Sequence, residues 1–226
     1  ILKDFIKPFE LDSDDLLMRA KLVQYDYDKY ILLLDFHHII FDGSSVKVFM
    51  HDLETAYNFG EKNKKKEFEY CSFVEWQAQY INSDEYKEKT NYWIDFFDNA
   101  PNICDLYEHN NVKKEYYTSK AIREYISEKE KIETICKELK CTKNVFFMSI
   151  FAIALSKMTY NKNVSFGIDV SGRHSDELQD IVGMFVNNLP VNVEVSDDLC
   201  FSDLVNEVQN NTFEILQNSE VLYESI

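Results

Sequence analysis

The chain has 226 residues, of which 24 are basic and 40 acidic, so its formal net charge is −16. Such an acidic chain is not expected to bind nucleic acid or an anionic membrane surface. Hydrophobic residues make up 45% of it, enough for a sizeable core, which excludes a disordered chain. No apolar run reaches the roughly 18 residues of a membrane helix. Cysteines without a CxxC pair favour a cytoplasmic protein with reduced thiols.

The hydrophobic pattern, taken in chain order, predicts alternating strands and helices. Strands are predicted at residues 16–25, 30–36, 118–126, 164–170 and 189–195. Helices are predicted at residues 44–59, 72–80, 86–97, 127–139, 145–158 and 202–216. Four serines stand where an N-cap is needed: Ser44, Ser72, Ser127 and Ser202. The helix at 145–158 is apolar nearly all round, so we expect it to be central and buried.

The heptapeptide HHIIFDG at residues 37–43 carries the clearest chemical signal. The apolar run before it predicts a strand that delivers His37 and His38 to its end, where Asp42 and Gly43 turn the chain. A histidine in such a place is a common general base near pH 7. Adjacent strand residues point to opposite faces, so the two imidazoles are not expected to share a metal ion. From these residues alone, two core histidines are an equally good interpretation.

Four segments in this order resemble motifs of the condensation domains of nonribosomal peptide synthetases, in the superfamily of chloramphenicol acetyltransferase. Residues 37–43 match the HHxxxDG motif in full, and residues 70–76, YCSFVEW, are similar to the aromatic motif that follows it. Residues 170–173, VSGR, resemble a glycine-arginine turn of the second lobe. Residues 181–190, IVGMFVNNLP, resemble the VGxFVNT segment.

The resemblance implies an α/β (α+β) fold of two chloramphenicol acetyltransferase-like lobes. Residues 1–108 would be the C-terminal part of the N-lobe, and residues 109–226 the first part of the C-lobe. The family's opening motifs are absent, and residues 218–224 only loosely resemble its closing HQDxPFE. We therefore expect an internal fragment with both lobes incomplete, inactive by itself. The arginine that holds the motif aspartate in the family is expected in the missing part, which would leave Asp42 without that partner.

The resemblance also implies a reaction, in which an amide bond forms between a carrier-bound donor thioester and the amine of a carrier-bound acceptor. His38 would be the catalytic base or orient the amine. Structural or orienting roles fall to His37, Asp42 and Gly43. Positions in the substrate channel or at the lobe interface fall to Ser44, Arg173, Phe185 and Asn187. No metal or directly bound cofactor is expected.

The substrates would be carried on the 4′-phosphopantetheine of donor and acceptor peptidyl carrier domains, with an adenylation domain in the same multidomain chain. Two other interpretations stay open. One is a catalytically silent recruitment or interface domain of a synthetase, whose motif is usually degraded. The other is a stand-alone acyltransferase with a soluble acceptor. The intact motif favours condensation.

Overall fold

The computed structural model describes residues 2–60, 68–98 and 124–225, and it mixes helices with strands as the sequence predicts. The strands are β1 Met18–Asp26, β2 Lys29–Phe36, β3 Asn163–Val170 and β4 Asn187–Glu194. The helices are α1 Leu2–Phe5, α2 Gly43–Phe59, α3 Tyr70–Tyr80, α4 Asp84–Asp98, α5 Lys129–Glu138, α6 Lys143–Thr159, α7 Asp176–Gln179 and α8 Phe201–Gln217. Two short 3₁₀ helices lie at His38–Ile40 and Tyr223–Ser225.

The contacts divide the chain into two compact units. The first unit combines Ile1–Ser83 with Ser171–Asn187, and the second combines Asp84–Val170 with Asn188–Ile226. The boundary predicted between residues 108 and 109 lies outside the described residues and stays a prediction. Most of the strand predicted at 118–126 also lies outside them, and its last residues, 124–126, are not in a strand.

In the first unit, β1 and β2 form the predicted antiparallel hairpin. Met18 pairs with Phe36 and Leu22 with Leu32, and the register is irregular between Gln24 and Asp26. The apolar residues on this hairpin are only partly buried, since Leu22 stays 64% exposed. The hairpin therefore brings the end of β2 to a fixed place mainly through its backbone ladder.

The four predicted serine N-caps are wrong, although the helices they were meant to open are present. The residues at the observed N-cap positions are Asp42, Glu69, Glu128 and Cys200. Ser72 instead occupies the third helical position of α3 and completes a capping box with Glu69. Glu128 and Cys200 make no side-chain capping bond, so the starts of α5 and α8 are not set by a polar cap.

In the second unit, α6 packs against α5, α8 and β3. Its inner face, which includes Ala152 and Leu155, is buried. The expectation that this helix is buried holds for that face only, because on the other face Phe151 is 49% exposed and Met158 is 67% exposed. Beside this helix, Val195 in the chain after β4 donates its N–H to the carbonyl of Lys162, 2.6 Å away.

No single helix in residues 2–60, 68–98 and 124–225 is long and apolar enough to cross a membrane. Helices α5 and α6 reach the required length and composition only as a pair, and the chain bends by 97° between them.

Candidate active site

The loop that carries the two histidines begins where the hairpin ladder ends. β2 stops at Phe36, and the backbone N–H of His37 donates to the carbonyl of Leu17, 2.9 Å away. The His37 side chain caps the following 3₁₀ helix, since its Nδ1 accepts the N–H of Ile39 at 3.1 Å. The ring of Phe9 meets the half-buried His37 ring edge-on, with 5.8 Å between the centroids.

His38 is the first residue of the 3₁₀ helix, and its side chain is exposed. The prediction that His37 and His38 are neighbours on a strand is therefore wrong. The last strand pair joins Met18 to Phe36. His37 is still extended, but the chain turns into the 3₁₀ helix at His38. The prediction that a strand delivers both histidines to its end is confirmed.

Aromatic rings pack together at the two ends of this loop. The rings of Phe36 and Phe41 stack with 4.1 Å between their centroids, and Phe49 meets both of them edge-on. Offset stacking and edge-to-face contacts add to the free energy gained by burial. The residues on either side of the histidine turn are therefore clamped together.

Asp42 ends the loop and is 1% exposed. It is the N-cap of α2, and its Oδ1 accepts the backbone N–H of Ser45 at 2.7 Å and the Ser45 hydroxyl at 2.8 Å. Its Oδ2 accepts the backbone N–H of Phe185 at 3.2 Å. A carboxylate that accepts this many hydrogen bonds is held rigidly in place, and the orienting role of Asp42 stays a prediction.

An arginine from the second segment of the same unit neutralises Asp42. The Nη2 atom of Arg173 lies 3.1 Å from Oδ1 and 3.2 Å from Oδ2 of Asp42, and both side chains are fully buried. The expectation that Asp42 has no arginine partner in this chain is wrong. The partner stands 131 residues along the chain, and only the fold brings it there.

The guanidinium of Arg173 also holds the chain around it. Its Nη1 donates to the carbonyls of Leu178 and Ile181, the latter at 2.7 Å. Its Cζ lies 4.1 Å from the centre of the Phe185 ring, which is a cation–π contact. Arg173 therefore fixes residues 178–185 as well as Asp42.

The electrostatics of this cluster keep Asp42 ionised. Burial by itself would raise the pKa of Asp42, but the hydrogen bonds from Ser45, Arg173 and Phe185 outweigh it and lower the pKa below its usual range. The carboxylate is thus a fixed negative charge with a fixed positive partner. This arrangement suits an anchor better than a group that exchanges protons at neutral pH.

Two glycines allow the close packing of this cluster. Gly172 has φ +64°, and a Cβ built on it would lie 1.8 Å from the carbonyl oxygen of Phe185. A Cβ on Gly183 would lie 2.2 Å from the ring of Tyr70, whose hydroxyl donates to the carbonyl of Met184 at 2.8 Å. A side chain at either position would force the segments apart.

The remaining predicted site residues lie at different depths. Gly43 and Ser44 are exposed in the first turn of α2, and Asn187 begins β4 with a half-buried side chain. Phe185 is 6% exposed and packs with Phe73, Leu178 and Ile181. The channel or interface roles of Ser44, Arg173, Phe185 and Asn187 stay predictions. Among the residues described, no group of three or more His, Cys, Asp or Glu side chains could hold a metal ion.

Two members of this cluster, Ser45 and Tyr70, were not predicted from the sequence. Ser45 directly follows a serine that resembles a helix cap, and Tyr70 looks like one more aromatic residue of a helix. The signal that could have identified Ser45 is its place three residues after Asp42, where the N–H and hydroxyl of a serine both reach a capping carboxylate.

Known proteins resemble this chain over most or all of its length. The sequence profile described as "Condensation domain" matches residues 1–226. Bacitracin synthase 1 of Bacillus licheniformis is 28% identical over 228 residues, which cover 100% of this chain and 4% of that protein. The chain therefore spans a small part of the length of this curated relative.

Two solved structures share the fold. The first condensation domain of the calcium-dependent antibiotic synthetase superposes with a TM-score of 0.70 at 20% identity, covering 92% of this chain and 49% of that one. The X-domain in complex with OxyB from teicoplanin biosynthesis gives a TM-score of 0.77 at 16% identity, covering 100% and 52%. At these identities the likeness concerns the fold alone, and it confirms the predicted fold class.

Proposed function

The chain belongs to the condensation-domain family, and from this we propose that it contributes the motif histidine of a site that forms amide bonds between two carrier-bound substrates. The donor is an acyl or peptidyl thioester, and the acceptor is an aminoacyl group with a free amine. Both would arrive on the phosphopantetheine arms of carrier domains. An adenylation domain in the same multidomain chain would load them, in the cytoplasm.

The chemistry requires a nucleophilic amine next to a thioester carbonyl. An α-amine has a pKa of about 8, so part of it is uncharged at neutral pH and needs only modest help. The amine attacks the carbonyl carbon, His38 accepts the proton that the nitrogen loses, and the thiol leaves with a proton as the C–S bond breaks. General-base help of this kind is worth about 10²–10⁴-fold in rate.

Positioning supplies the larger share of the catalysis. Orienting two bound reactants contributes about 7–11 kcal/mol in favourable cases. Gly43 is the first residue of α2, so its backbone N–H lies at the positive end of the helix dipole, where a developing oxyanion is stabilised. His37 caps the histidine turn and Asp42 ends it, so both would orient the loop without touching the substrate.

The observation that carries this proposal is the contrast within HHIIFDG. Its last carboxylate, Asp42, is buried and held by Arg173, while the His38 side chain is exposed on the loop that Asp42 ends. A recruitment domain has no need to present an imidazole from a loop fixed in this way. The X-domain in complex with OxyB has the same fold, so the proposal is supported by the motif and not by the fold.

The experiment is His38→Ala in the full-length protein, with both carriers loaded and the products followed by mass spectrometry. We expect loss of at least about 10²-fold in amide formation, as for removal of a general base. The matched control is His51→Ala, which removes another exposed histidine, on α2. Full condensation by His38→Ala would contradict the proposed role.

His37→Ala separates the two histidines. It removes the acceptor of the Ile39 N–H, so we expect a lower melting temperature by the worth of about one hydrogen bond, roughly 0.5–1.5 kcal/mol. His38→Ala should leave the melting temperature unchanged because the His38 side chain is exposed.

A further inference from the structure

The hydroxyl of Ser45 joins two chain segments that are far apart in sequence. Ser45 is completely buried in the first turn of α2. Its Oγ lies 2.8 Å from Oδ1 of Asp42, 2.8 Å from the carbonyl oxygen of Gly183 and 3.0 Å from the backbone nitrogen of Gly183. The Nη2 atom of Arg173 is 3.2 Å away.

These four neighbours use the full capacity of a serine hydroxyl, which has one hydrogen and two lone pairs. Oγ accepts the N–H of Gly183 and one N–H of Arg173. Its single hydrogen then has two acceptors at the same distance, the carboxylate of Asp42 and the carbonyl of Gly183. Ser45 therefore links the histidine loop to residue 183 whichever acceptor takes the hydrogen.

A second bond runs beside this link. The backbone N–H of Asp42 donates to the carbonyl of Gly183 at 3.2 Å, while the ring of Tyr70 closes the other side of Gly183. The segment around Gly183 thus cannot shift relative to Asp42 without breaking the bonds to Ser45. Because Asp42 ends the loop that holds His38, such a shift would move that loop.

We propose that Ser45 is a positioning residue for the condensation reaction, acting through Asp42 and Gly183 on the placement of His38. The proposal rests on the proposed function, in which His38 is the group that meets the substrate amine. Ser45 itself is buried and makes no contact with the substrate. A merely structural serine would contribute to stability alone, whereas a positioning serine also changes the rate of the folded protein.

The test compares Ser45→Ala with Ser149→Ala in the full-length protein. Ser149 is an equally buried serine, but its hydroxyl donates only to Val145 on its own helix, at 2.9 Å. The readouts are kcat and KM with loaded carriers, measured well below both melting temperatures, and hydrogen exchange at the Gly183 amide. Should Ser45→Ala not fold, Ser45→Cys supplies the same readouts, since a thiol is a much weaker hydrogen-bond partner.

We expect Ser45→Ala to lower kcat by about 10²-fold, the loss that a misplacement of about 1 Å produces, with KM nearly unchanged. The Gly183 amide should exchange faster, because its acceptor is gone. Ser149→Ala should match the wild type in kcat and in exchange at Gly183. Wild-type kcat in folded Ser45→Ala, whatever its melting temperature, would overturn the proposal and leave a structural role only.

The hydrogen-exchange readout separates this proposal from the proposed function. If the wild-type protein forms no amide, the proposed function is wrong and the catalytic half of the inference falls with it. Faster exchange at Gly183 in Ser45→Ala would then still establish the link between the two segments. Unchanged exchange at Gly183 together with full activity of Ser45→Ala would show that Ser45 does not position His38 for the reaction.

Discussion

Each of the two units is stabilised by its own internal interactions, and the kinds of interaction differ between them. In the first unit, the buried polar residues Asp42, Ser45 and Arg173 bond to one another and to Gly183 and Phe185, across 128–143 positions of sequence where the two segments meet. In the second unit, three buried serine and threonine hydroxyls bond locally instead, although the hydroxyl of buried Tyr86 reaches Ser225. Ser149, Thr212 and Ser219 each donate to a carbonyl three or four residues earlier in the chain.

The apolar parts of the two units differ as well. Most of the fully buried side chains belong to the second unit: Trp93, Val164, Leu189, Val191, Val205, Val208, Ile215 and Val221. Apolar cores tolerate volume-conserving changes, whereas a buried polar network loses much of its stability when one partner goes. The first unit thus depends on directional hydrogen bonds and the second on the packing volume of its apolar side chains. Single substitutions should distinguish these two kinds of stabilisation.

Removing Arg173 should have the largest effect in the first unit. Arg173→Met leaves the Asp42 carboxylate buried and unpaired, which costs about 3–5 kcal/mol of unfolding free energy. Urea denaturation of the condensation domain measures it. The control is Lys87→Ala, which breaks the exposed 2.8 Å pair with Asp84 and should cost less than about 1 kcal/mol. Equal losses in the two variants would contradict the network.

Removing Trp93 tests the second unit. Trp93→Ala should cost about 3–5 kcal/mol, because it opens a large cavity and leaves the carbonyl of Asn218 without the indole N–H that donates to it at 2.9 Å. The chain has one other tryptophan, Trp76, which is 44% exposed. Trp76→Ala should therefore cost clearly less in the same urea experiment. The reverse order would show that the apolar packing of the second unit is not what stabilises it.

Neutralising Asp42 tests the polar network of the first unit through the pH dependence of its stability. Asp42→Asn should cost about 3 kcal/mol at pH 7, because the buried Arg173 charge loses its partner while the amide keeps part of the hydrogen bonding. Because the folded pKa of Asp42 is depressed, its contribution is complete above the unfolded pKa of about 3.9 and is lost as the pH falls through the folded value.

The difference in melting temperature between the wild type and Asp42→Asn should therefore stay nearly constant from pH 7 to about 4 and shrink below it. Thermal melts across this range check it, and the condensation rate should fall together with the stability at pH 7. An unchanged melting temperature, with turnover lost and the pH–rate profile shifted, would instead identify Asp42 as a proton carrier.

Adding one methyl group gives effects of opposite sign in the two units. Gly172→Ala places a Cβ where φ is +64° and a carbonyl oxygen stands in the way, so it should cost at least about 1–3 kcal/mol. At Gly167, in β3, no atom lies within 4 Å of the place that a Cβ would take, and Gly167→Ala should gain about 0.5–1 kcal/mol. Thermal melts compare them, and a loss in both would contradict the difference.

Local sequence was a good guide wherever local physics decides the outcome. The β1–β2 hairpin, the 3.6-residue period of α2 and the Gly60 that ends it in a left-handed conformation all follow from neighbouring residues. The resemblance of HHIIFDG to a family motif needs no fold either. The four serine caps were misplaced because a serine near a helix start fits the local capping rule whether or not the helix begins there.

Tertiary structure alone decided which side chains meet. Nothing near Asp42 in sequence names Arg173 as its partner, because ion pairing depends on distance in space and the two residues are 131 positions apart. The outer face of α6 is as apolar as its inner face, so composition predicted burial on both, and only the packing shows which one is covered. The sequence determined the elements and the motif, whereas the folded chain determined the bonds that hold the motif in place, since long-range contacts leave no periodic pattern to read.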